Sequence, residues 1–311
     1  MIVREALLAA SRSTPIKAAA AANPLARGVV SRFVAGEDTA SAVAAAKSLS
    51  THGLYVTIDH LGEEDADNPE TAAATVLAYS RLLEALDEAD LADRAEVSIK
   101  LSAIGQALAH DGAKVATENA HRIAGLADAI GTTITIDMED HTTTDLTLAT
   151  VVEVRKDYPS VGAVIQAYLK RSEADCRDFN GEGSRVRLCK GAYAEPGSVA
   201  YESRQEVDLS YVRCTKALMN GQGVPMLATH DPRLIEIGTA IAVRAGRNRG
   251  GYEFQMLYGV RPDEQARLAA MGEKVRVYVP FGPQWYPYLV RRMAEKPANL
   301  ALFVKSLSSK S

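Results

Sequence analysis

The sequence predicts an α/β fold, specifically a (β/α)8 barrel of the TIM type. Three observations carry this. From residue 53 onward, eight short apolar runs alternate with longer Ala- and Leu-rich helical stretches. Strict alternation of strand and helix implies parallel strands, because a parallel crossover needs a connection of helix length. Eight such units in about 230 residues match the size of a closed barrel. A doubly wound open sheet is the competing reading. It calls for a glycine-rich phosphate loop after the first strand, and Thr57-Ile58-Asp59-His60-Leu61-Gly62 is not one.

Taken in order, residues 4–22 have helical composition, interrupted by Ser13-Thr14-Pro15. Leu25, Val29, Val30, Phe33 and Val34 give residues 24–36 a helix-like apolar spacing. Asp38-Thr39 then opens an Ala-rich helix over 40–50. Residues 1–50 are therefore expected to form a helical arm of a single domain spanning 1–311. The strands are expected at 54–58, 96–101, 133–138, 162–167, 185–190, 225–229, 252–257 and 275–279. Helices are expected at 70–90, 114–129, 143–157, 199–222, 232–247 and 262–271. Asn180-Gly181-Glu182-Gly183, Glu195-Pro196-Gly197 and the stretch from Gly246 to Gly251 punctuate the loops.

Composition bounds the function. With 47% apolar and 24% charged residues in 311, the chain is ordinary for a soluble globular protein. A net charge of −4 offers no basic excess for nucleic acid. The three cysteines, Cys176, Cys189 and Cys214, lack CxxC spacing, which excludes a disulfide framework and a cysteine-rich zinc site. No apolar run of about 18 residues is present, and Met1-Ile2-Val3-Arg4-Glu5 lacks the features of a signal peptide. A cytoplasmic protein is expected.

In such a barrel, function sits at the C-terminal strand ends. Those ends carry Lys100 and Ser102, then Asp137-Met138-Glu139, Gln166 and Tyr168, Arg187 and Lys190, Thr229-His230-Asp231, Glu253 and Gln255, and Tyr278. Arg185 and Arg187 share a strand face, and Lys190 belongs to the turn. Singly, each is more often a cap or a buried ion pair. Jointly, they suggest a large polar ligand across the mouth, since so many buried polar groups need partners. Asp59, His60 and His230 could form a metal set, but HxH and HExxH motifs are absent and no metal is expected. A Schiff-base barrel using Lys100 or Lys190 as the amine is a rival, as is a non-catalytic amino-acid-binding barrel.

The stretch after the last strand adds Tyr288, Arg291, Arg292 and Glu295 at helical spacing. A solvated helix face with an internal ion pair is one reading. A guanidinium clamp for a small carboxylate is the other.

Four motifs bear a closer likeness: Val186-Arg187-Leu188-Cys189-Lys190-Gly191-Ala192-Tyr193, Ala228-Thr229-His230, Glu253-Phe254-Gln255-Met256-Leu257-Tyr258-Gly259 and Tyr288-Leu289-Val290-Arg291-Arg292-Met293-Ala294-Glu295. Together they resemble the FAD-dependent proline dehydrogenase family in its short monofunctional bacterial form. The likeness runs from about Thr57 to Asn299. It implies a distorted barrel with its last helix over the mouth and a non-covalent FAD at the strand ends. Met138, Gln166, Arg187, Lys190, Gly191, Ala192, Thr229 and His230 would contact the flavin, with Gln255 a weaker candidate. Lys100, Arg291 and Arg292 would hold the carboxylate of L-proline. Tyr193, Tyr278 and Tyr288 would pack around its ring, with Asp137 and Glu295 as supporting carboxylates. Hydride would pass from C5 of proline to the flavin, with Arg187 stabilising the reduced form, in the first step of proline degradation. A quinone-type acceptor, and with it a peripheral encounter with the inner face of a membrane, is implied as well. Tyr288 implies proline over 4-hydroxyproline. Two residues depart from the family pattern: Cys189 stands where an aliphatic residue is expected, and Asp231 where asparagine is.

Overall fold

The computed structural model describes residues 24–62 and 66–295, without the side chains of 24–27, 29 and 291–295. The helix expected over 4–22 lies outside the described residues. Helices α1 (Pro24–Phe33) and α2 (Thr39–Thr51) lead into β1 (Tyr55–His60). Then follow α3 (Pro69–Glu88), β2 (Ala95–Ile99), α4 (Gly112–Ala129), β3 (Ile134–Ile136), α5 (Thr144–Val154), β4 (Gly162–Gln166), α6 (Ser172–Asp178) and β5 (Arg185–Cys189). The chain continues through α7 (Arg204–Met219), β6 (Val224–Ala228), α8 (Pro232–Arg244), β7 (Glu253–Leu257), α9 (Pro262–Ala270), β8 (Val275–Phe281) and α10 (Trp285–Glu295). The strands pair in chain order, and β8 closes on β1 in parallel, with Val56 opposite Val277 and Ile58 opposite Val279. The expected barrel is therefore the observed one.

Helix starts follow their caps. Asp38 accepts a hydrogen bond from the Ser41 amide, and Asn68 from the Thr71 amide with Pro69 in the first turn. Asp231 does the same for α8, accepting from Arg233 N ahead of Pro232. Helix α6 was not among the expected helices. Its seven residues, Ser-Glu-Ala-Asp-Cys-Arg-Asp, bury only Ser172, Asp175 and Cys176, too short a span to show a 3.6-residue period.

The strand bodies alternate, and this corrects the expectation of apolar strands with polar ends. Val56, Ile58, Val97, Ile99, Ile134, Ile136, Val186, Leu188, Phe254, Met256, Val275 and Val277 are buried in the apolar core that also contains the helix residues Val76, Leu82, Ile123, Val151 and Leu218. The intervening Thr57, Glu96, Thr135, Arg185, Glu253 and Arg276 bond one another across the lumen. Glu96 accepts from Thr57 at 2.8 Å, Thr135 at 3.1 Å and Arg185 at 2.5 Å. Arg276 bonds Glu253 at 2.8 Å. Glu253 and Arg185 thus begin their strands at the base and are not part of the mouth.

Helix α10 does not return down the outside of β8. The outer face is covered by α2, which packs against β8, β1 and α3. Its buried Ala42 and Ala46 permit the close approach. Strand β8 runs two residues further than expected, through Pro280, whose carbonyl accepts from Ala35 N at 3.0 Å. That bond and one from Arg32 Nε to Gly259 O (3.3 Å) seat the end of α1 at the mouth rim.

Burial works against the charge of Glu96, but Arg185 and then Arg276 outweigh it and hold the carboxyl at about 2, below its ordinary 4.5. The stabilisation from Glu96 is therefore fully present above pH 4.5 and is lost as pH falls from 4.5 toward 2. Urea unfolding of the wild type should show this loss. Glu96→Gln, which strands the buried arginines, should cost about 3–5 kcal/mol at neutral pH. It should also flatten the pH slope over that window; an unchanged slope would remove Glu96 from this role.

Candidate active site

At the mouth end of the lumen the alternation delivers a second polar layer. Arg187, on β5, crosses the lumen. It donates from Nε to Gln255 Oε1 (2.5 Å) and from Nη1 to Asp137 Oδ1 (2.5 Å) and Ser98 Oγ (3.0 Å). Its guanidinium also lies 5.3 Å from the centre of the Tyr278 ring. The other oxygen of Asp137 accepts from the Tyr278 hydroxyl at 2.8 Å. Burial, with Asp137 beside it, pushes this phenol well above its usual range, so it stays a donor.

Lys100 extends past β2 and donates to both oxygens of Asp59, at 2.8 and 2.7 Å, with Asp137 at 4.0 Å. Burial opposes its charge, but Asp59 and Asp137 outweigh burial and raise its pKa above the usual lysine value. Asp59 is buried and receives a further contact from Tyr79 of α3, whose hydroxyl donates to Ser98 O at 2.6 Å and lies 3.4 Å from Asp59. Asp59 and Ser98 are the site residues that the motif reading missed. Their signal is their place in register, opposite one another at the ends of β1 and β2. These bonds also narrow an expectation: most of the mouth groups bond one another, and a ligand is not needed to partner all of them.

The remaining candidates lie along the ends of β4, β5 and β6. Gln166 is buried and donates to Glu139 O at 2.7 Å, while Glu139 accepts from Ser102 N and Oγ at 3.1 and 2.6 Å. Met138 packs with Leu148, Val164 and Cys189. Burial raises the Cys189 thiol to about 11, as befits a packing residue. Lys190 bonds Asp208 of α7 at 2.5 Å and lies 3.6 Å from Asp231. Hydrogen bonding to Arg233 holds Asp231 at about 2. Gly191 has a φ of +107°, and a Cβ there would meet the Tyr168 ring at 2.3 Å, so only glycine fits. Ala192 and Tyr193 are exposed. Thr229 is buried and accepts from Asp231 N at 3.1 Å. His230 Nε2 accepts from Leu257 N at 2.9 Å, which places the ring proton on Nδ1.

The residues weighed as a metal set are engaged separately. Asp59 holds Lys100, His230 caps Leu257 N, and His60 packs 5.2 Å from the Phe281 ring with burial lowering its pKa.

Helix α10 is pinned at the mouth end of β1. Gln284 N donates to Leu61 O at 3.0 Å, and Trp285 Nε1 to Glu37 at 2.7 Å. Tyr288 is buried with Phe33, Val34, Leu61, Trp285, Tyr286, Leu289 and Val290. Arg291, Arg292 and Glu295 belong to this helix, and their side chains lie outside the described residues.

A flavin fits this donor set. Cationic Arg187 and Lys190 stand on one strand and its turn, Gly191 lets backbone approach closely, Gln166 ends the neighbouring β4, and Thr229 lies just past the neighbouring β6. Arg187 Nη2 is buried with no hydrogen bond, 3.8 Å from Glu96 Oε1. A cleft of about 810 Å³ opens beside the Lys190–Asp208 pair, between α7 and α8.

Comparison with known proteins agrees with this architecture. The family model described as proline dehydrogenase matches residues 42–304. The proline dehydrogenase of Deinococcus radiodurans is 38% identical over 278 residues, 89% of each chain. Proline dehydrogenase 1 of Bacillus subtilis is 36% identical over 90% of each chain. Among solved structures, proline utilization A (PutA) from Bdellovibrio bacteriovorus, inactivated by N-propargylglycine, superposes with a TM-score of 0.78 at 24% identity. It shares the fold over 92% of this chain and 33% of its own. The chain belongs to the proline dehydrogenase family.

Proposed function

We propose that the protein oxidises L-proline to Δ1-pyrroline-5-carboxylate with a non-covalently bound FAD, as the first step of proline degradation to glutamate. The observation that carries this reading is the cluster of Lys100, Asp59, Asp137, Arg187 and Tyr278 at the mouth, in a chain of this family. A bound flavin supplies the hydride acceptor for the C5–H bond.

The protein's part is binding and electrostatics. Lys100, Arg291 and Arg292 hold the substrate carboxylate. Asp59 keeps the Lys100 ammonium charged and aimed, as a carboxylate clamp requires. The same pairing argues against a Schiff-base role for Lys100, which needs a lowered pKa, while that of Lys100 is raised. Tyr278 and Tyr288 wall the ring, with Tyr193 at its exposed edge, and Glu295 supports the arginines. Arg187, locked by Asp137, Ser98 and Gln255, presents fixed positive charge toward the negative charge that develops on reduction. Met138, Gln166, Lys190, Gly191, Ala192, Thr229 and His230 line the cofactor, with Gln255 acting through Arg187. Electrons leave to a quinone-type acceptor, which brings a cytoplasmic protein to the inner face of a membrane. Among the described residues no helix is long and apolar enough to cross one.

The purified protein should be yellow, or take up FAD, and its flavin absorbance should bleach when L-proline is added without oxygen. Colourless protein that binds no FAD would sink the reading. Arg291→Met and Arg292→Met should each raise KM for proline by about 30- to 1000-fold while FAD stays bound, the loss expected for one charge-assisted bidentate contact. An unchanged KM in both refutes the clamp. Arg187→Ala should slow single-turnover flavin reduction by about 100-fold or more. A wild-type rate in stopped flow would end its proposed role.

A further inference from the structure

We propose that Glu195 is the positioning residue that holds the Lys190-Gly191-Ala192 turn in its flavin-binding shape, acting through Tyr168 and His141. This rests on the flavin-binding reading above.

Glu195 lies in the loop from β5 to α7, where Ala192, Tyr193 and Ala194 are exposed, yet its side chain is only 3% exposed. A buried carboxylate in a surface loop is costly without partners. Glu195 has three donors on two other segments. His141 N donates to it at 2.9 Å, His141 Nδ1 pairs with its second oxygen, and the Tyr168 hydroxyl donates at 3.1 Å. His141 stands in the β3–α5 connection and Tyr168 just past β4. The carboxylate therefore ties three successive βα connections at the mouth.

Tyr168 transmits the tie. Its ring lies against Gly191, where an added Cβ would come within 2.3 Å. Its amide donates to Lys190 O at 2.8 Å, and its hydroxyl is bonded by the Tyr193 backbone. The far end of the loop is stitched to the same segment: Tyr201 N donates to Tyr168 O at 2.8 Å, and Leu169 bridges Ala200. With both ends anchored on 168–169, Glu195 fixes the middle. Charge-assisted hydrogen bonds are directional, so such a latch defines the geometry of the turn.

The test is FAD titration of apoprotein, followed by flavin fluorescence, on wild type, Glu195→Ala, Glu195→Gln and Tyr168→Phe. Glu195→Ala should weaken FAD by about 10- to 100-fold, the loss expected for charge-assisted bonds. Amide exchange over residues 191–200 should accelerate. Glu195→Gln, which keeps a carbonyl acceptor, should recover part of the affinity. Wild-type FAD affinity in Glu195→Ala, or weaker binding without faster exchange in the loop, overturns the inference. Should Glu195→Ala not fold, Glu195→Gln and Tyr168→Phe carry the same test, each expected to weaken FAD about 3- to 10-fold. Unchanged affinity in both would equally overturn it. Wild-type protein that binds no FAD fails the functional reading itself, a result distinct from tight FAD binding by wild type and variants alike.

Discussion

Arg187 is a charge carried into the interior of the barrel, and the surrounding strands are arranged to satisfy it. From β5 it reaches Ser98 on β2, Asp137 just past β3 and Gln255 on β7. Its bonds span distant strands because the lumen, not the strand–helix interface, is the polar compartment. An unpaired guanidinium there would cost several kcal/mol. Asp137 must be there to meet it, and Tyr278 meets the other oxygen of Asp137. Gln255 is itself fixed by donating to Glu253 at 2.6 Å. Through Glu253 the mouth layer is coupled to the base, where Arg276 holds the same carboxylate.

This inverts the usual division in such barrels, in which the lumen is filled by branched apolar side chains. Here the main apolar core lies between strands and helices, and the lumen carries a lattice of paired charges. The lattice adds little net stability over an apolar filling. What it gives is rigid side-chain placement at the mouth, where the proposed hydride donor and acceptor would be held in contact. Lys100 and Asp59 show the principle on a small scale, since both carboxylate oxygens face one ammonium and fix its direction.

Helices α10 and α2 exchange the usual roles around this lattice. Helix α10 is drawn to the mouth end of β1 by Leu61, Glu37 and the aromatic cluster around Trp285 and Tyr286. The outer face of β8 thereby loses its usual cover, and α2 supplies it. Helix α2 is thus part of the barrel wall. Tyr288 is buried in the same cluster that seats α10, so the helix and this ring are placed together.

The number, order and direction of the strands can be read from consecutive residues alone. Each βα unit is a local pattern, and local patterns are written in consecutive residues. Every strand is legible to within a few residues of its observed bounds, and the motif singles out Arg187, Lys190 and Gly191, which stand together at the end of β5. Four features arise from contacts between segments far apart in the chain. One was the polar lumen, because whether Thr57, Glu96 or Arg276 faces in or out depends on closure of the sheet. The second was the roles of Asp59 and Ser98, which acquire meaning only beside Lys100 and Arg187. The third was the seat of α10, set by contacts with residues more than 200 positions earlier. The last was the burial of Glu195, an ordinary loop glutamate until Tyr168 and His141 converge on it. A carboxylate's surroundings come from segments distant in the chain, and no spacing of nearby residues records them.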